Sequence, residues 1–197
     1  MVYIFYGIND FIIKKEIEKI KQKEKIDSVS FERYDLENSD LSEIIIHADE
    51  INLFGNKKMI LVDNSYIFTG TTNKKLPEQN ISILENYLNH PNPDTILIFV
   101  ILKDKLDERK KIVKIAKDKG YLKEYNKVDD KEKIVLNMLQ PYQIEKKDLL
   151  FFLERVGDNL SILEQEVNKI KLYKDNDFII TREDIINLTS KNIDTDI

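Results

Sequence analysis

A parallel α/β sandwich followed by a small helical domain is the architecture this sequence predicts, on three observations. Short β-branched and aromatic runs alternate with amphipathic helix patterns from residue 2 to about residue 127. The run Thr95 to Leu102 is almost wholly apolar, as a strand covered on both faces would be. After about residue 128 the strands stop and only helical patterns remain. Strands separated by helices pair in parallel, because each return to the same sheet edge needs a crossover. The division falls between residues 1–127 and 128–197.

The run Val2 to Tyr6, stopped by Gly7, reads as a buried strand. Asn9 or Asp10 can cap the helix that follows, since either side chain can accept from a free amide of the first turn. Ile13, Ile17 and Ile20 then share one helical stripe. Val29, Phe31 and Arg33 to Asp35 make an alternating second strand. Ser39 or Asp40 caps a helix carrying Leu41, Ile44, Ile45 and Ala48. Met59 to Val62 is a third strand ending in Asp63, and residues 65–80, with Gly70, Asn73 and Pro77, read as a loop. Ile83, Leu84, Tyr87 and Leu88 suit a short helix that Pro91 and Pro93 close.

Beyond the central strand, Asp107 and Glu108 begin a helix, and Lys117 and Lys119 end it before Gly120, as the helix dipole and a glycine stop favour. Tyr121 to Tyr125 is the fifth strand. Residues 129–142, 146–156 and 158–173 are helical, the last with Leu160, Leu163, Val167 and Ile170 along one stripe. Thr181 to Asp184 is a capping box ahead of Ile185, Ile186 and Leu188.

Composition narrows the chemistry. Thirty-one Lys and Arg against 36 Asp and Glu leave a formal charge of −5, without the strong positive field of a free-standing DNA binder. With no cysteine there is no disulfide, thiolate metal site or cysteine nucleophile, which fits a reducing compartment. His47 and His90 lie far apart, without ligand spacing. No apolar run reaches the roughly 20 residues of a membrane span, and no signal peptide opens the chain, so the expected location is the cytoplasm.

An α/β domain followed by a helical one is the outline of many nucleotide-driven ATPases, but the phosphate chemistry is not there. A phosphate loop needs GxxxxGK[ST], whose backbone amides gather around the phosphates. The first strand is followed instead by Gly7-Ile-Asn-Asp10-Phe-Ile-Ile-Lys-Lys15. There is no second glycine, Phe11 and Ile12 crowd the approach, and Asp10 puts negative charge where a phosphate would lie. Asp63 could hold a metal, but Asn64 stands where a hydrolytic enzyme would carry a glutamate base. Nucleophile elbow, dinucleotide fingerprint and metal cluster are absent as well, and Asp129-Asp130 reads as a solvated helix start. A structural or binding role remains.

Leu53 and Phe54 are the other conspicuous pair. They end a polar, helix-like segment just ahead of Gly55-Asn56, Lys57, Lys58 and the third strand. On the residues alone they either fold back into the core or grip a partner.

Four segments, in order and spacing, resemble the delta subunit of bacterial DNA polymerase III, part of the sliding-clamp loader. They are Tyr3-Ile-Phe-Tyr-Gly7-Ile-Asn-Asp10-Phe-Ile, Leu53-Phe54-Gly-Asn-Lys-Lys58-Met-Ile-Leu-Val62, and Lys105-Leu-Asp107-Glu-Arg-Lys-Lys111. The fourth and most specific runs from Gly157-Asp-Asn-Leu160 to Tyr173, followed by Ile180-Thr181. The resemblance covers essentially the whole chain.

The resemblance implies an AAA+-like fold whose phosphate loop no longer works, a clamp-binding α/β domain over 1–127 and a helical lid over 128–197. It implies a non-catalytic subunit of the polymerase holoenzyme, with no cofactor of its own, that binds the β sliding clamp and opens its ring for loading onto primed DNA. Partners would be the clamp, ATP-binding tau/gamma-type and delta-prime-type subunits and, through the assembled complex, primer-template DNA. The apolar clamp anchor of the family maps onto Leu53 and Phe54, with Lys57 and Lys58 either touching acidic clamp surface or simply solvated. Family members continue into a helical collar domain, and Ile193-Asp-Thr-Asp-Ile197 stops about where it would start, which points to a chain cut short of the collar. Two other readings stay open: an ATPase with an atypical nucleotide site, and an α/β interaction module unconnected with a clamp.

Overall fold

A computed structural model of the chain describes residues 1–50, 57–70, 77–126, 130–175 and 177–191. It divides into two compact units, Met1–Lys127 and Val128–Ile197.

The first unit is built on five strands: β1 (Val2–Tyr6), β2 (Phe31–Asp35), β3 (Lys58–Asp63), β4 (Thr95–Ile101) and β5 (Leu122–Glu124). They lie in the order β2-β3-β4-β1-β5, every pairing parallel. Alternation along β4 shows why its sequence is apolar throughout. Ile96, Ile98 and Val100 join the core on one face, and Leu97, Phe99 and Ile101 join the core on the other. Helix α1 (Asp10–Lys23) covers the first face with Ile13, Ile17 and Ile20. Helices α2 (Leu41–Asp49), α3 (Glu78–Asn89) and α4 (Lys111–Asp118) cover the second with Ile44, Leu84, Val113 and their neighbours.

The caps resolve as single residues. Asn9 accepts from the amide of Ile12 at 3.2 Å, and Asp40 from that of Ser42 at 2.7 Å. Asp10 and Ser39 are therefore not the caps.

Three expectations for this unit are corrected. Val29 is 88% exposed and outside β2, because Asp27 accepts from the amide of Ser30 and turns the chain there. The loop expected over 65–80 contains a short 3-10 turn, Tyr66–Phe68, and Phe68 packs edge-on to Phe99 with ring centroids 5.2 Å apart. Turn-forming neighbours hide these three apolar residues in the sequence. Helix α4 starts at Lys111 rather than Asp107, because Asp107 is spent on a turn. Its carboxylate accepts from the Arg109 guanidinium at 2.8 and 2.9 Å, and its amide donates to the carbonyl of Phe68 at 2.9 Å.

The second unit holds α5 (Lys131–Leu139), α6 (Lys146–Val156), α7 (Leu160–Lys174) and α8 (Arg182–Leu188). Their core includes Val135, Leu139, Phe152, Leu163, Val167 and Ile185. Two short parallel strands, β6 (Gln143–Ile144) and β7 (Ile179–Ile180), correct the expectation that strands end near residue 128. Two residues are too few to show a period, so sequence patterning does not reveal them. Aromatic packing holds them: Tyr142 meets Phe178 at 5.3 Å, and its hydroxyl donates to the carbonyls of Lys171 and Asp175 at 3.1 and 3.0 Å. The capping box forms as expected, with Thr181 and Asp184 each accepting from the other's backbone amide.

Candidate functional site

The turn between β1 and α1 is where a nucleotide-binding relative would cradle phosphate. Here the backbone that follows β5 packs close against it. Gly7 has φ of +146°, and a Cβ at this residue would lie 2.4 Å from the carbonyl carbon of Tyr125 and 2.5 Å from its oxygen. The amide of Gly7 donates to Ile101 at 3.1 Å and that of Asn9 to Tyr125 at 3.3 Å, while Asn9 itself caps the amide of Ile12. Three amides of this turn are thus already bonded within the chain. Asp10 forms an ion pair with Lys14 one turn along the helix. The ring of Tyr125 packs edge-on to Phe5 at 5.3 Å, and burial pushes its hydroxyl pKa upward.

Asp63 is likewise engaged. Its carboxylate accepts from Nε of Arg33 at 2.5 Å, a hydrogen bond that raises the guanidinium pKa further. The side chain of Asn64 donates to Asp35 at 3.0 Å. Neither Arg33 nor Tyr125 stands out in the sequence as a site residue. Arg33 reaches Asp63 through the register that sets Asp35 beside it, and Tyr125 reaches Gly7 through the β1–β5 pairing. Among the described residues no group of three or more His, Asp or Glu could hold a metal ion. Nδ1 of His47 lies 2.9 Å from the hydroxyl of Tyr34, His90 follows the last turn of α3, and Asp130 caps α5.

Leu53 and Phe54 lie outside the described residues, but both flanks of their segment are described. At the end of α2 the amide of Glu50 donates to Ile46 at 3.1 Å, and Nδ2 of Asn92 donates to the carbonyls of Asp49 and Glu50, each at 3.2 Å. On the other side the amide of Lys58 donates to Asp94 at 3.0 Å. Lys57 donates to Glu24 at 2.6 Å and draws that carboxyl's pKa down, and the ammonium of Lys58 binds the carbonyl of His47. Both lysines are thus committed within the chain. Ile46, 56% exposed, adds apolar surface on the last turns of α2.

Known proteins resemble this arrangement. The family model for the DNA polymerase III delta subunit matches residues 3–126. The chain is 27% identical over its whole length to DNA polymerase III subunit delta of Bacillus subtilis (strain 168), and it spans 58% of that relative. The solved structure of the B. subtilis DNA clamp loader delta protein superposes with a TM-score of 0.76 at 26% identity, covering 97% of this chain and 58% of that one. The RuvB Holliday junction branch migration motor of Thermotoga maritima superposes with a TM-score of 0.58 over 95% of this chain and 60% of its own, at 11% identity. That likeness shows the fold alone, which is AAA+-like. The family match spans the α/β unit almost from end to end, and the chain belongs to the DNA polymerase III delta subunit family.

Proposed function

We propose that this chain is the clamp-gripping part of a clamp-loader delta subunit. It binds the β sliding clamp, holds its ring open for loading onto primed DNA, and leaves ATP to neighbouring tau/gamma-type subunits, with a delta-prime-type subunit completing the loader. Residues 1–127 carry the clamp contact and residues 128–197 act as the helical lid, in the cytoplasm. Primer-template DNA is met through the assembled loader.

The observation that supports this reading is the turn after β1, where no second glycine follows Gly7 and the amides of Gly7, Asn9 and Ile12 are bonded within the chain. A fold in that state is suited to binding rather than hydrolysis. Family membership then supplies the partner class. Leu53 and Phe54 are the anchor, two large side chains seated in an apolar clamp pocket. The bonded flanks lower the ordering cost of presenting them. Lys57 would have to leave Glu24 to reach an acidic rim, so its contribution and that of Lys58 are small.

The test is capture of purified β clamp by the native chain and by Leu53→Ala/Phe54→Ala. Full burial of the pair is worth about 3–6 kcal/mol, so the double variant should lose about 10²–10⁴-fold in affinity. Its thermal stability should fall by much less than a double core truncation, about 5 kcal/mol or more, would require. Undiminished capture, or a variant that simply unfolds, would overturn the anchor. Tight magnesium-dependent ATP binding by the native chain would overturn the non-catalytic reading.

A further inference from the structure

The end of β1, the chain following β4, helix α4 and β5 frame a cavity of about 730 Å³. It opens at the carboxyl ends of parallel strands, next to the point where crossovers diverge: β1 leaves toward β2, and β4 leaves across β1 toward β5. Such crevices are the habitual binding places of open α/β sheets, and the volume suits an inserted ligand or side chain.

Ile8, Leu106, Val113 and Leu122 give the lining its apolar surface. Ile8 is 69% exposed. Glu124, two residues on from Leu122 along β5, belongs to the same lining. Its Oε2 accepts from the hydroxyl of Tyr6 at 3.1 Å, and its Oε1 accepts from Nδ2 of Asn126 at 2.7 Å. The same Nδ2 donates to the carbonyl of Asp104 at 2.8 Å, so the amide is fixed in turn. Two neutral donors orient this carboxylate without neutralising it, and among the described residues it has no ion pair. Of the other charged residues in the wall, Lys117 and Glu108 pair at 3.5 Å, which leaves Asp104 and Glu124 against Lys105. The unbalanced charge is negative.

We propose that this cavity docks an arginine side chain of a partner protein, its guanidinium on Glu124 and its alkyl stem along Ile8 and Leu122. A carboxylate offers about four lone-pair directions, and the two internal donors use two of them, leaving the fork of a guanidinium a place to bond. Arginine also gives up less hydration than lysine and lays an apolar stem on apolar surface. The site is independent of Leu53 and Phe54, which precede the amino end of β3, so either reading can fail alone.

The experiment is an amide chemical-shift titration of the full chain with the peptide acetyl-Ala-Arg-Leu-Ala-amide. Saturable shifts are expected at Ile8, Leu122, Glu124 and Asn126. The citrulline peptide, neutral and nearly isosteric, should bind about tenfold or more weaker, as should the arginine peptide with Glu124→Gln, because each change removes a charge-assisted bond. The remaining peaks of Glu124→Gln must be unmoved for that comparison to count, and the citrulline comparison on the native chain stands without it. No saturable shift at these amides, equal binding of the citrulline peptide, or undiminished binding to a folded Glu124→Gln would overturn the proposal.

Discussion

Replacing Gly7 by alanine tests the physical core of the non-catalytic reading. At φ of +146° a side chain is strained on its own account, and the new Cβ would also meet backbone at 2.4, 2.5 and 2.9 Å, all from Tyr125. Backbone cannot swing aside as a flexible side chain would. The conformational strain is about 1–3 kcal/mol and the overpacking about as much again. The expected loss is therefore about 2–6 kcal/mol. Gly120 supplies the control, since its φ is +72° but a Cβ there meets nothing within 4 Å. Alanine at that position should cost about 1–2 kcal/mol, the left-handed penalty alone. Urea titration read from resolved amide peaks of β1 and β4 keeps the measurement within the α/β unit. If Gly7→Ala were no more damaging than Gly120→Ala, the turn would have room to move away from Tyr125, and its packing there could not be called tight.

Other perturbations follow from the same contacts. Thr181→Ala should cost the helical unit about 1 kcal/mol by removing the cap of α8. Asp184→Ala should cost more, about 2–3 kcal/mol, since it also withdraws the 2.9 Å bond to the buried ammonium of Lys174; both are read by thermal unfolding. The Glu24 carboxyl, bonded by Lys57, has a folded pKa below its ordinary 4.5. Its stabilising contribution is accordingly complete above that ordinary value and lost as pH falls through the lower folded one. Acid titration should therefore shift the peaks of Lys57 in the native chain and leave them still in Glu24→Gln. Val29→Ser should change stability by no more than about 0.5 kcal/mol, because Val29 is 88% exposed; a larger loss would place it in the core after all.

Periodicity made the covering helices readable: Ile13, Ile17 and Ile20, or Leu160, Leu163, Val167 and Ile170, recur at the spacing that puts them on one buried face. The unbroken run through β4 likewise signals a strand covered on both faces. What stayed hidden depends on neighbours distant in sequence. Asp107 looks like a helix start, since an acid followed by basic residues fits the helix dipole, yet tertiary bonds to Arg109 and Phe68 hold it in a turn. Tyr66 to Phe68 count as loop until Phe99 is brought opposite. At the site, missing glycines and a misplaced Asp10 already argued against phosphate binding. The close approach of the Tyr125 backbone to Gly7 could be found only once β5 was known to lie beside β1.

The two proposed contact surfaces belong to opposite ends of the strands. Because every strand runs in parallel, Gly7 and Glu124 lie toward the carboxyl edge, whereas the segment containing Leu53 and Phe54 feeds the amino end of β3. Strands of five or six residues separate these edges by about 17–20 Å. Over such a distance the effects of two bound partners should be nearly additive unless the core between them has two alternative packings. The core of this unit includes Phe5, Phe68 and Phe99, each wholly buried, and a core packed in this way resists gradual deformation. A nucleotide at the carboxyl edge would have had to act through that packing to influence a grip at the other end. If the clamp contact is the one proposed, a turn without a phosphate loop gives up a signalling route this sheet is poorly arranged to use, and control of that contact would fall to neighbouring subunits.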